Sequence, residues 1–286
     1  MGFFWIYFIN WSGQVVILDE AAQLVKQNLG NIFHDLTIER ATIGLFFTGV
    51  KLSNGAGGVC FTPIKEIPEA VCCPSSAGRI FDPGKIPGMK VESALLALSS
   101  REPMKMAVAI ATLNALSSTC WSQGGTEKYN LKMNMDALEA VRLSDHSAVA
   151  VIGAIVPVLR LLKSRGGTWW IIEQDPKTLR QDELPHYVPE ERSEGILGKA
   201  DVLIITGVTL VNHTLEKILE CARPGAEIAV MGPTASMLPE PMFERGVRVM
   251  GGVWVKNPDE LLDVLASGGS GYHFLGKLAD RIVIEK

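Results

Sequence analysis

Ala200-Asp-Val-Leu-Ile-Ile-Thr-Gly-Val-Thr-Leu-Val-Asn-His-Thr-Leu-Glu216 is the stretch on which the fold turns. Val202 to Ile205 is an unbroken apolar run, the pattern of a strand buried on both faces of a parallel sheet. Thr206, Gly207, Thr209, Asn212 and Thr214 then follow within nine positions. A helix pattern starts at Thr214. In a doubly wound sheet, the carboxyl end of a strand facing a helix start is where a ligand binds. A single Thr would serve as an ordinary cap for the helix. Several hydroxyls and an amide together could also hold a carboxylate or phosphate oxygen.

Downstream of Ser147 the same rhythm repeats. Strands are expected at 148–152, 169–172, 202–205, 227–231 and 247–250. Helices are expected at 157–164, 190–197, 214–222, 239–245 and 258–266, and Met135 to Leu143 also looks helical. Short apolar runs alternating with helices argue for an α/β domain with a parallel sheet covered on both faces. Upstream the pattern differs. Leu18, Ala21, Ala22, Val25 and Leu29 fall at helical spacing and Gly30 stops the helix. A β-hairpin is expected next, with Ile38–Leu52 and Val59–Thr62 joined by the turn-forming Ser53–Gly58. Pro63 to Met89 is irregular. A helix through Met106, Ala109, Ile110, Leu113 and Leu116 is introduced by Pro103 and the box Ser99-x-x-Glu102. This half reads as α+β. The boundaries expected are a tail or strand over 1–17, an α+β domain over 18–130 and an α/β domain over 131–286.

The strand ends collect the candidate site residues. The first ends at Gly153, with Pro157 in the turn into its helix, and the fourth ends at Gly232-Pro233-Thr234. If the strand order is 3-2-1-4-5, Gly153 and Gly232 face each other across the crevice at the switch point. Glu173 lies twenty residues after Gly153, the spacing at which nucleotide-binding folds place a carboxylate for ribose hydroxyls. The G-x-G-x-x-G phosphate fingerprint is missing, which argues against a dinucleotide and leaves a nucleoside-like or other hydroxylated ring. Glu173 could equally solvate a strand end. His213 could act as an acid or base or simply face solvent, and the Gly268–His273 loop could be a lid or a plain connection. Asn114, mid-helix among apolar residues, either bonds backbone or points into a cleft between the halves.

The chain has 286 residues, 47% hydrophobic and 20% charged, with a net charge of −4. That composition buries a core and carries no Lys/Arg cluster, so no nucleic-acid partner is expected. Cys60, Cys72, Cys73, Cys120 and Cys221 show no zinc spacing, and no H-x-x-x-H pattern occurs, so a metal site is left unassigned. A reduced, cytoplasmic protein is the economical reading. Met1 to Leu18 has no charged side chain, yet lacks the basic start of a signal peptide and the length of a span. It reads as a tail or strand packed on the fold rather than a membrane anchor.

These motifs resemble a known family. Gly153-x-x-x-Pro157, Glu173, the Ala200–Glu216 stretch and Gly232-Pro-Thr-Ala-Ser236 look like a heavy-metal-chelation family with a Rossmann-like domain. The Ala107–Leu116 helix and the Gly55–Gly58 hairpin resemble its N-terminal partner, which has the fold of the enolase N-terminal domain. The resemblance implies a small-molecule ligand in an interdomain cleft. It also implies a role in condensation or hydrolysis of pterin-, flavin- or siderophore-like chelators. On this reading Asn114, Gly153, Pro157, Glu173, Thr206, Gly207, Thr209, Asn212, Thr214, Gly232, Pro233 and Thr234 bind ligand, and Glu173 and Asn212 are the catalytic candidates. The alternatives are a non-catalytic carrier of a metal or metal chelate, and binding of an S-adenosylmethionine-type ligand. A divalent metal or a nucleoside-like group is the cofactor class left open, and a homodimer is compatible. Position 213 varies in the family motif, which weakens a catalytic part for His213.

Overall fold

A computed structural model of the chain describes residues 17–66, 82–100, 102–125 and 129–286. Residues 1–16 of the expected tail, and the Cys72-Cys73 pair, lie outside the described residues. The chain divides into two compact units.

The first unit contains the described residues of 1–125 together with Ser236–Met242 and Trp254–Asp280. Helix α1 (Ile17–Leu29) buries Ile17, Leu18, Ala21, Val25 and Leu29 along one face. Its acidic residues Asp19 and Glu20 lie in the first turn and Lys26 in the last, as the helix dipole favours. Strands β1 (Ile38–Ile43), β2 (Phe47–Leu52) and β3 (Gly57–Phe61) form an antiparallel sheet in that order. The stretch 38–52, expected as one arm of the hairpin, is therefore two strands, broken at Gly44–Phe46. The turn after β2 is shorter than expected, because Gly57 and Gly58 are strand residues, paired with Lys51 and Val50.

The reason lies in helix α2 (Pro103–Cys120), which is buried from Met106 to Cys120. A Cβ on Gly58 would stand 2.1 Å from the Ala111 carbonyl oxygen and 2.4 Å from Ala115 N. Only glycine lets helix and sheet approach this closely. Helix α2 is buried all round from Met106 on, and mostly apolar, as suits a central helix. Its Thr112, Ser117 and Thr119 hydroxyls donate to the carbonyls of Val108, Leu113 and Ala115. The expected box does not form: Ser99 ends a preceding 3-10 turn, the helix starts at Pro103, and Ser100 accepts the Glu102 N–H instead. The late helix Pro258–Ala266 also belongs to this unit. Arg40 bridges Asp259 and Asp263, Lys51 bridges Glu39 and Asp259, and Leu262 and Leu265 pack where a side chain at Gly49 would otherwise sit.

The second unit contains the described residues of 126–235, with Phe243–Val253 and Arg281–Lys286. Its strands are β4 (Asn130–Met133), β5 (Val149–Ile152), β6 (Trp169–Ile172), β7 (Tyr187–Val188), β8 (Val202–Thr206) and β9 (Glu227–Met231), with most of β10 (Val249–Val255) and β11 (Ala279–Glu285), whose last two and first two residues fall in the first unit. They form one sheet in the order β4-β11-β10-β9-β8-β5-β6-β7. Neighbours from β10 to β7 run parallel, and β11 meets β4 antiparallel. Val149, Val151, Val202, Ile204, Ala229 and Val249 pack with Val158, Leu159 and Leu162 of helix α3 (Val156–Arg165) on one face. The alternate residues Ala150, Leu203, Ile205, Ile228, Val230 and Met250 are buried as well. Two-sided burial explains the unbroken apolar runs.

The strand order differs from the one considered above. β8, not β9, lies beside β5. The most apolar strand takes a central place, with hydrogen-bonding neighbours on both edges, and β9 adds outside it. The direction of winding therefore reverses between β5 and β8, and Gly153 faces Thr206 rather than Gly232. The helix expected over 135–143 shrinks to Ala137–Ala140, capped by Asp136. β11 is a further strand, not among those expected, and buries Ile282, Val283 and Ile284.

Candidate functional site

The carboxyl ends of β6, β5, β8 and β9 form a row, and each supplies a site residue. At the end of β5, Gly153 has φ +93° and its N–H extends the ladder to Ile172 O at 2.9 Å. A Cβ on Gly153 would stand 2.7 Å from Thr206 Cγ2. At the end of β6, the half-buried Glu173 folds back over this turn. Its Oε2 accepts the Ala154 N–H at 2.9 Å, and its Oε1 accepts the N–H groups of Gln174 and Asp175 at 2.9 and 3.2 Å. A carboxylate has about four acceptor positions, so the three backbone bonds leave room for one hydroxyl.

After β8, Thr206 Oγ1 accepts the Val208 N–H at 3.4 Å and Thr209 Oγ1 donates to Thr206 O at 2.7 Å. Thr209 is 3% exposed, so its hydroxyl serves the turn itself. Asn212 Oδ1 accepts from the Thr214 hydroxyl at 2.7 Å and from Thr214 N at 3.3 Å, which turns the carboxamide nitrogen outward from that bond. Helix α4 (Leu215–Cys221) follows, only seven residues long. Gly207 is buried against the loop after β9, where a Cβ would meet Ala235 N at 3.1 Å and Thr234 Cβ at 3.3 Å. Gly232 has φ +126° and approaches Gly207 N.

Gly153, Glu173, Thr206, Gly207, Gly232 and Thr234 are thus brought together in a chain of contacts. Pro157 is the second residue of α3 and exposed, Pro233 is half-buried, and Asn212 and Thr214 bond each other beyond the row. Asn114 belongs to the first unit, where its Nδ2 donates to Val59 O of β3 at 2.8 Å. The amide ties helix to sheet, the backbone-bonded alternative of the two considered. His213 is exposed with φ +56°. In the Gly268–His273 segment, His273 Nδ1 accepts the Ser270 N–H at 3.0 Å and caps a short helix. Sequence reasoning missed the Ala154 N–H, which holds Glu173 in place and has no side-chain signal.

Residues 136–284 match a family model, DUF364, described as "Putative heavy-metal chelation". The chain belongs to this family. Residues 26–117 match a second model with the same description. The chain is similar to the crystal structure of a family member of unknown function from Pyrococcus horikoshii, with a TM-score of 0.72 and 22% identity, covering 95% of this chain and 100% of that one. A second family structure of unknown function, from Desulfitobacterium hafniense, has a TM-score of 0.69 and 19% identity over 93% and 98% of the two chains. At these identities the likeness establishes the fold. An uncharacterized protein of Methanocaldococcus jannaschii is 26% identical over 170 residues, and the match spans 58% of this chain and 61% of that relative's length.

The family's description raises the question of a metal held by the protein. The donors at the strand ends do not fit one. Glu173 is the only carboxylate in the contact row described above and spends both oxygens on backbone N–H groups. Among the described residues, no group of three or more His, Cys, Asp or Glu side chains is placed to hold an ion. Among the same residues, no helix is long and apolar enough to cross a membrane.

Proposed function

We propose that the second unit binds a small, oxygen-rich chelator of pterin, flavin or siderophore type at the ends of β5, β6 and β8. The observation that carries this reading is the reversal of winding between β5 and β8, with Gly153 and Thr206 side by side at the strand ends. Crevices at such reversals are the ligand sites of open α/β sheets. Gly153 and Gly207 let Thr206 and the Thr234–Ala235 loop close onto these turns, and Gly232, with only Gly207 N near, leaves its own position free of a side chain. Glu173 accepts a ligand hydroxyl on its remaining lone pairs, and the Asn212 carboxamide donates to an anionic oxygen. Any metal travels on the ligand, in keeping with the donor set.

Condensation or hydrolysis of the chelator, with Glu173 and Asn212 at the reacting group, is the enzymatic form of this reading. Carriage of the metal chelate without turnover is the other, and the donor set favours it equally. The reduced Cys120 and Cys221 thiols suit a cytoplasmic setting. Calorimetric titration of the whole protein with a pterin, a flavin and a catecholate, each free and ferric-loaded, tests the site. At least one should bind, and Asn212→Ala and Glu173→Gln should each weaken it about tenfold. Wild-type affinity in both variants would place the ligand elsewhere. Mass spectrometry of the incubated ligand separates turnover from carriage.

A further inference from the structure

We propose that the first unit carries a separate binding site for an uncharged, polyhydroxylated ring of monosaccharide size. It lies in the hollow between the β2–β3 turn and the end of α2. The hollow has a volume of about 310 Å³ and is lined by Asn54, Ser118, Thr119, Ser122, Gln123 and Trp254, with Gly55, Ala56 and Val255. That is the lower end of ligand-sized clefts, roughly 300–1,000 Å³, and suits one ring.

The lining holds no ionisable side chain, so a charged ligand would enter without a counter-charge. What it offers instead is a mixture of hydrogen-bond donors and acceptors. Ser122 donates its hydroxyl proton to Ser118 O and so presents acceptor lone pairs, and Thr119, which donates to Ala115 O and accepts from Asn54, keeps one. Asn54 is held in place: its Oδ1 accepts the Ala56 N–H at 3.2 Å and its Nδ2 donates to Thr119 Oγ1 at 3.0 Å. Ser118 and Gln123 supply further donors. Hydroxyl groups, which both give and accept, match such a set.

Trp254 supplies the apolar surface. Its ring stacks on the buried Trp121, with centroids 5.9 Å apart and planes at 26°, which fixes it for contact with the C–H face of a sugar. The end of α2 is also shaped for the hollow. After Cys120 the chain widens into a π-turn, Trp121–Gly125, with Gly124 at φ +97°. Wide turns of this kind end helices. This one carries Ser122 and Gln123 to the rim. The hollow lies wholly in the first unit, so the inference stands apart from the strand-end reading.

Saturation-transfer NMR on the full chain tests it, with D-glucose, D-ribose and myo-inositol as probes and glucose 6-phosphate as the charged comparison. At least one neutral probe should give saturable transfer. Trp254→Leu should abolish it, and Ser118→Ala and Asn54→Ala should weaken it about tenfold. Ser118→Ala removes one oxygen at a helix end, and an unchanged melting curve for it shows that lost binding is not lost folding. Three results would each overturn the proposal: no transfer from any neutral probe, tighter binding of glucose 6-phosphate than of glucose, or wild-type binding by both polar variants.

Discussion

At the residue scale, glycines decide where this backbone can close up, and they do so for different reasons. Gly58 is demanded by packing, since a Cβ there would collide with backbone atoms of α2 at 2.1 and 2.4 Å. Gly153 is demanded twice, by φ +93° and by the 2.7 Å approach to Thr206. Gly55 has φ +84° but open space around it, so only the backbone conformation matters. Denaturant melts should rank the alanine variants accordingly. Gly58→Ala should lose about 3 kcal/mol or more through overpacking, and Gly153→Ala about 3 kcal/mol through strain and contact together. Gly55→Ala should lose about 1 kcal/mol. Equal losses at Gly55 and Gly58 would sink the account of why helix and sheet approach so closely. Sequence showed that Gly153 and Gly232 end strands. It paired them wrongly across the crevice, because a glycine carries no mark of the neighbour it makes room for.

At the scale of elements, α2 shows what burial does to chemistry as well as to stability. Cys120, at its last turn, is 5% exposed. Burial, and then the Glu240 carboxylate, push its thiol from 9.0 up to about 12. The unfolded chain therefore ionises this thiol first. The stability it contributes is whole below the unfolded value and is lost as pH rises from about 9 towards about 12. Urea midpoints across that range should fall less steeply in Cys120→Ala than in the wild type. Parallel curves would show that the thiol ionises alike in both states. The helix itself was legible from Met106 to Leu116, since Met106, Ala109, Ile110, Leu113 and Leu116 fall at helical spacing. Its start was not. Ser99 and Glu102 have the spacing of a capping box, but Pro103 begins the helix after both of them, and local spacing cannot say which turn comes first.

At the scale of the molecule, the units are not stretches of sequence. Trp254–Asp280 belongs with the first unit although it follows most of the second. Its helix sets Leu262 and Leu265 against Gly49, and its Asp259 holds Arg40 and Lys51. A fragment ending at residue 125 should therefore lack part of its core. It should show broad near-ultraviolet dichroism and no cooperative melt, where the full chain melts cooperatively. A sharp transition in the fragment would mean that the late helix is dispensable. The sequence by itself determined the α/β class, the places of most strands and helices in the second unit, and the residues at the strand ends. Hydrophobic period and strand length are local properties and survive reading one residue at a time. Only the tertiary structure decided that β8 sits between β5 and β9, that a late helix completes the first unit, that Glu173 is tied to the turn after β5, and that Thr209 and Asn212 bond their own turns. Periodicity tells which side chains leave water, but the partner each one meets is set by how distant segments fill the same space.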